Sequence, residues 1–332
     1  MMVRDGSVQM PAGLQSSPGL HRFAIFCVAA TFVLIFVGGL VTSTGSALAV
    51  PDWPLAFGHL VPKLVGGVRF EYGHRVVAGV VVILTAILAA WMWRAEPRRW
   101  VRNTALAALG LIVVQAILGG ITVLLLLPLP VAVAHAATAQ AFFCVMVAIA
   151  VFTNPHFGEG SSGQPHARNS PVARIATITA AAIYAQVLIG AVVRHLGAGL
   201  AIPDFPLSFG HVLPPFDSIY VDVNFAHRCG ALVVAVLTIS LAARAIFHWE
   251  EPGIRRPAIG LIALLVLQIT LGALTIWSGR AVIPTTAHVA VGAALLATCV
   301  TLALRASALE RLAAAAEGAK VRGNLEPVME RG

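Results

Sequence analysis

Apolar residues gather in long runs separated by short polar stretches. Eight runs reach the roughly 20 residues that a helix needs to cross a bilayer core: 23–43, 75–93, 104–127, 131–153, 173–193, 227–247, 257–278 and 284–304. This pattern predicts an all-α polytopic membrane protein with eight transmembrane helices. A leader (1–22), an N-terminal half (23–153), a linker (154–172), a C-terminal half (173–304) and a tail (305–332) follow from it. The linker is rich in Gly, Ser and Pro, as flexible connectors are. No small-residue cleavage site closely follows the first run, so it reads as an uncleaved span.

Composition agrees with that reading. Hydrophobic residues make up 58% of the chain and charged residues 11%, whereas about a quarter of a soluble domain is charged. A disordered chain, a disulfide-built secreted scaffold and an ordinary cytosolic enzyme are excluded. The net charge of +8 does not point to nucleic acid, because no basic face or basic run with interleaved aromatics is present. The arginines cluster between apolar runs instead, as topology determinants do. With the N-terminus inside, 16 of the 22 basic residues fall on the inner side. The outer side keeps Lys63, Arg69, Arg75, Arg194, Arg228 and Arg280. Both termini are therefore expected in the cytoplasm. Cys27, Cys144, Cys229 and Cys299 form no CxxC pair and read as small hydrophobes.

The chain repeats itself. GSALAVPDWPLAFGH (45–59) matches GAGLAIPDFPLSFGH (197–211) at an offset of 152 residues. Beyond one inserted residue, YGHR (72–75) matches FAHR (225–228), QAILGG (115–120) matches QITLGA (268–273), and His135 matches His288. Each half holds four spans, an even number. The repeats should thus be parallel four-helix bundles related by a pseudo-twofold along the membrane normal.

Ionisable residues inside spans are costly and mark function. His74 and His227 stand at the expected outer ends of spans 2 and 6. His135 and His288 lie about 6 Å inside spans 4 and 8 by helical rise. Two imidazoles facing each other in a bundle suit a haem; the alternative for each is a core histidine bonded to a carbonyl. Zinc would be short of ligands. Arg75 and Arg228 directly follow two of these histidines and either pair with haem propionates or snorkel to the interface. Glu71, three residues before His74, corresponds to Asn224, so two similar halves differ by one carboxylate. Asp52 and Asp204 read as turn formers or caps of short interfacial helices. Gln115 and Gln268 read as amides bonding between helices where Gly119, Gly120 and Gly272 allow close approach. His59 and His211 are loop residues.

Together, VTSTGSALAVPDWPLAFGH, FEYGHR, LGGITVL, AHAATAQ, FAHRCG and TAHVAVGA resemble the heme A synthase family. The likeness runs over about 23–304. It implies an oxidoreductase that converts the C8 methyl of haem O into the formyl of haem A for cytochrome oxidase. It implies haem O between His74 and His135 with Arg75 beside it, and Glu71 near the methyl. A resident haem b cofactor would sit between His227 and His288, with Arg228 nearby. The four histidines would be axial ligands of haem iron. A bacterial inner membrane, an unspecified electron donor, contact with heme O synthase or oxidase assembly factors, and homo-oligomers fit the same reading. Many bacterial members carry a cysteine pair in an outer loop, which loops 44–74 and 194–226 lack. The competing function is a di-haem b, quinol-linked electron carrier, for which the Glu71/Asn224 inequality has no evident use.

Overall fold

The computed structural model describes residues 2–4, 7–9, 16–157, 160–161 and 171–329. Arg168 and Arg331, counted in the topology argument, lie outside the described residues, as do parts of the expected leader, linker and tail. Eight helices are long and apolar enough to cross a membrane: α1 Pro18–Ser43, α2 Val68–Ala95, α3 Arg99–Leu124, α4 Leu129–Phe152, α5 Val172–His195, α6 Ile219–His248, α7 Pro252–Trp277 and α8 Val282–Met329. The part of α8 long and apolar enough to cross a membrane lies within Val282–Ala315, and the helix runs on through most of the expected tail. Three short strands, β1 Met2–Arg4, β2 Ser7–Gln9 and β3 Gly160–Ser161, pair antiparallel in the order β1-β2-β3. The hydropathy pattern gave no sign of them.

Helix starts extend beyond the apolar runs because polar first turns are helical too. Ser17 and Ser218 cap α1 and α6 by accepting the N–H of Leu20 and Val221, as N-cap hydroxyls do. Pro18 and Pro252 occupy first-turn positions, where a missing N–H costs nothing. In α2 the turn VRFE precedes the apolar run, so His74 lies six residues into its helix rather than at the end. His135 and His288 are equally deep in α4 and α8, about 9 Å by rise per residue.

α1 to α4 close one ring of contacts, α1–α2–α3–α4–α1, and α5 to α8 close another. The rings meet where α1 and α4 pack on α8 and α4 packs on α5. Leu20, Leu88, Met92, Ile112, Phe142 and Met146 fill the first ring. Leu241, Trp249, Leu261, Leu295 and Leu302 fill the second. Phe143, Val147 and Ala293 seal the seam. Large apolar side chains such as Phe26, Ile83, Val236 and Val266 point outward. Helices apolar all round are the form a lipid environment selects. The chain is an integral, multi-pass membrane protein.

Polar clasps tie the ends. Near the start of α1, the Ser16 hydroxyl donates to buried Glu96. Arg98 donates to the same carboxylate at 2.6 Å, to Ser16 Oγ at 2.8 Å and to the Phe152 carbonyl at 2.7 Å. Ser16 and the α2–α3 turn are thereby joined to the end of α4. At the opposite end, Arg194 Nη2 donates to the Gly39 carbonyl at 2.9 Å and to Ser43 Oγ at 2.6 Å. Thr286 donates to the same hydroxyl, which links α1, α5 and α8 across the seam.

Candidate functional site: four imidazoles on four glycines

The packed apolar cores occupy the part of each ring away from the long loops. At the other end stand the four histidines. Protein atoms surround each ring, yet each keeps accessible surface. His74 lies within electrostatic range of His135, and His227 within range of His288. Each ring contributes one imidazole pair.

Each imidazole rests against a glycine of the neighbouring helix. A Cβ placed on Gly38 would stand 3.1 Å from His74 Cε1, on Gly119 3.1 Å from His135 Cε1, on Gly190 3.1 Å from His227 Cε1, and on Gly272 3.2 Å from His288 Cε1. Gly38 and Gly190 match at the offset of 152, and Gly119 and Gly272 at 153. The duplication therefore preserves each histidine together with the glycine it rests against. Gly119 and Gly272 were expected to allow helix approach; the structure shows what approaches them. Gly38 and Gly190 escaped sequence reading, because a glycine in an apolar span, even one beside Gly39, does not show which neighbour it faces.

The mid-span amides meet the same rings. Gln115 Nε2 lies 3.3 Å from His135 Nε2, and Gln268 Nε2 lies 3.3 Å from His288 Nε2. Thr138 donates to Gln115 Oε1. Gln186, which sequence reading passed over, lies 3.0 Å from His227 Nδ1 and donates to the His227 carbonyl at 2.7 Å. A mid-span glutamine without a counterpart in the other half was the available clue.

The long loops fold back onto their helices through Arg75 and Arg228. Arg75 donates to the carbonyls of Asp52 at 2.7 Å, Leu55 at 2.9 Å and Val50 at 3.2 Å, and to Glu71 at 2.7 Å. Arg228 donates to Leu207 and Ile202 carbonyls and to Asn224 Oδ1. Glu71 begins one turn before His74 and is buried; its other oxygen accepts the Val50 N–H at 2.8 Å. Asn224 does the reverse, donating to the Ala198 carbonyl at 2.8 Å. Matching positions thus anchor the loops with opposite polarity, and only the first carries a negative charge.

Asp52 and Asp204 are turn braces, and the helix-capping alternative is corrected. Each accepts two N–H groups, Phe57 and Gly58 or Phe209 and Gly210, at 2.7 and 2.8 Å. His59 and His211 close these turns by pairing with Ala56 and Ser208. The Gly58 N–H, with that of Phe57 and the nearby Arg75 charge, holds the Asp52 carboxyl below its ordinary range. Trp53 in the same loop rests on Gly120, where a Cβ would come within 2.7 Å of the indole. In the second half Phe205 replaces the larger ring and Ala273 the glycine.

Two imidazoles held in fixed planes across one bundle suit a flat macrocycle ligated from both faces. Among the described residues, no group of three or more His, Cys, Asp or Glu could hold a bare metal ion. The donor set fits haem better than zinc.

Fold and site define a duplicated, membrane-embedded bis-histidine protein. The family model described as cytochrome oxidase assembly protein matches residues 70–300. The Heme A synthase of Symbiobacterium thermophilum is 32% identical over 262 residues, covering 77% of this chain and 85% of that protein. The Heme A synthase of Shouchella clausii is 28% identical over 261 residues, 76% and 84% of the two chains. That of Halalkalibacterium halodurans is 30% identical over 218 residues, 63% and 70%. The chain belongs to this cytochrome oxidase assembly family.

Proposed function

We propose that this protein makes haem A by oxidising the C8 methyl of haem O to a formyl group. Haem O is held between His74 and His135 in the first ring, and a resident haem b between His227 and His288 in the second. The observation that carries the reading is the fourfold histidine–glycine pairing in duplicated register. Membership of the family, with relatives named Heme A synthase, supports it.

The glycines let each imidazole lie close against its neighbouring helix and keep one plane, so substrate is oriented before it reacts. Glu71 starts the turn that carries His74 and is fixed by Arg75 and the Val50 amide. A fixed carboxylate there favours positive charge developing at the methyl carbon. Asn224 offers no such charge beside the resident haem. Arg75 and Arg228, each one residue past a ligand, supply positive charge for propionates. When bound, haem b supplies electron transfer. Two successive hydroxylations of the methyl, each a two-electron oxidation that adds one oxygen atom and needs an oxidant from outside this chain, would give a gem-diol that sheds water to leave the aldehyde.

The excess of arginine around the ends that carry the termini supports a cytoplasmic placement of both, in a bacterial inner membrane. Haem A would pass to the terminal oxidase. Expression in a host that makes haem O but no haem A, with chromatography of extracted pigments, tests the reading. Haem A should appear with the native chain, and haem O should persist with Glu71→Gln. Failure of the native chain to yield haem A overturns the function. A normal yield from Glu71→Gln removes Glu71 from the chemistry.

A further inference from the structure

One charge at the imidazole end of the second ring stands without an opposite. Arg194 lies in the last turn of α5, four residues beyond Gly190, the seat of His227, so the two share a side of the helix. Its Nη2 donates to the Gly39 carbonyl at 2.9 Å and to Ser43 Oγ at 2.6 Å. Thr286, two residues before His288, donates to that same hydroxyl. The guanidinium is thereby tied near both ligands of the second ring. Its Nε is buried and has no hydrogen-bond partner. Arg280 lies within electrostatic range. Its side chain covers Gly199, in the turn Ala198–Leu200 that follows α5, where a Cβ would stand 3.5 Å from Arg280 Cδ. Among the described residues the ion pairs are Arg75–Glu71 and Arg98–Glu96, and neither includes these two arginines.

The first half has neither cation. Thr42 takes the place of Arg194 at the offset of 152, and Leu127 that of Arg280 at 153. Leu127 and Arg280 share a left-handed backbone, with φ of 61° and 70°, so the match is structural as well. A cation buried at a span end without an anion is strongly unfavourable. His227 and His288 stand on α6 and α8, opposite members of their ring. A plate ligated from those two turns its rim toward α5 and α7. Arg194 is on α5 and Arg280 directly follows α7, and the rim of a haem carries two carboxylates.

We infer that Arg194 and Arg280 form a carboxylate clamp, present in the second ring alone, which binds a propionate of the resident haem and makes that ring the one that retains its haem. This rests on the haem assignment proposed above. Arg228 has Nε, Nη1 and Nη2 each engaged, by Asn224 and by the Leu207 and Ile202 carbonyls. Arg194 keeps the Nε hydrogen to give, and a hydrogen bond between two charged groups is about twice as strong as a neutral one. A fixed positive charge beside the haem also favours the reduced, less positive iron, and so raises its potential. A haem in the first ring would meet Thr42 and Leu127 at these places. Without a buried cation to grip its carboxylates it can leave, as a product must.

The test uses the full-length chain with His74→Ala, so that only the second ring is read. It is loaded with haem b or with haem b dimethyl ester, whose propionates are uncharged. Transfer to excess apomyoglobin gives the off-rate, and a redox titration gives the potential. Arg194→Leu should lose haem b about 10- to 150-fold faster, at a more negative potential. Arg194→Lys should recover the potential, and Arg280→Leu should show a smaller loss of the same sign. The ester should leave the unaltered clamp faster than haem b by a similar factor, and Arg194→Leu should not speed its loss further. An arginine that only ties helices together would speed the loss of both haems alike. Arg280→Leu and the ester decide the matter if Arg194→Leu does not fold. Equal off-rates for haem b and its ester from the unaltered clamp, as a lipid phosphate lodged there would give, overturn the inference. So does an unchanged off-rate in Arg194→Leu, or an equal acceleration of both haems. A His74→Ala chain that binds no haem overturns the underlying assignment instead.

Discussion

A single methyl group tests whether the histidine–glycine contacts are ligand seats. In Gly190→Ala the new Cβ would lie 3.1 Å from His227 Cε1, 3.6 Å from Nδ1 and 3.9 Å from Nε2. Carbon atoms settle at about 3.5–4.0 Å, so the imidazole must retreat by roughly half an ångström. It is not free to do so, because Gln186 lies 3.0 Å from its Nδ1. Overpacking of this kind costs about 1–3 kcal/mol. At about 1.4 kcal/mol per tenfold, haem held by His227 should bind roughly 5- to 150-fold more weakly. The assay is the haem-to-protein ratio and low-spin absorption of purified protein, beside the melting temperature of the haem-free form. Gly110→Ala is the control, since nothing lies within 4 Å of a Cβ there. The strain is present without haem as well, so Gly190→Ala should lose haem and also lower the melting temperature of the haem-free form, while Gly110→Ala does neither. Full haem content with an unshifted spectrum and an unchanged off-rate would refute the reasoning.

Other outcomes follow from the same geometry. His227→Ala or His288→Ala should abolish the low-spin haem b spectrum of the purified protein, whereas neither change should unfold the apolar core at the far end of the ring. The turn braced by Asp52 should resist acid. Its carboxyl is depressed chiefly by the Gly58 amide, so its stabilisation is present above the ordinary value near 3.9 and is lost as pH falls through the lower folded value. Hydrogen-exchange protection of the Phe57 and Gly58 amides should therefore hold from neutral pH down to about 4, and be weakened at neutral pH by Asp52→Asn. Glu96→Gln removes the charge that Arg98 and Ser16 share; a melting temperature lowered by a loss on the order of 2–3 kcal/mol should appear with haem content unchanged.

The spans were legible because unbroken apolar runs need no partner to be recognised. Their ends were not: VRFE at the start of α2 and Ile219 to Ala226 of α6 are polar enough to resemble loop, and only the helix geometry places His74 and His227 well inside. Which face each span buries was also hidden, since a helix apolar all round presents no preferred side to the reader. The duplication exposed the histidines and Glu71 against Asn224. It also held the clue to Gln186, whose counterpart Leu34 looks unremarkable in an apolar run. The arginines after His74 and His227 were read as partners for propionates or as snorkelling to the interface. Their bonds to Val50, Asp52, Leu55, Ile202 and Leu207 carbonyls depend on loops that double back, which spacing alone does not reveal.

The knot of Ser16, Glu96, Arg98 and the Phe152 carbonyl lies at the far end of the first ring from its imidazoles. The imidazole end is lashed as well, by Arg194 to α1 and by Arg75 to its loop and Glu71. Like a barrel hooped at both rims, the first ring keeps its helices in register from one end to the other.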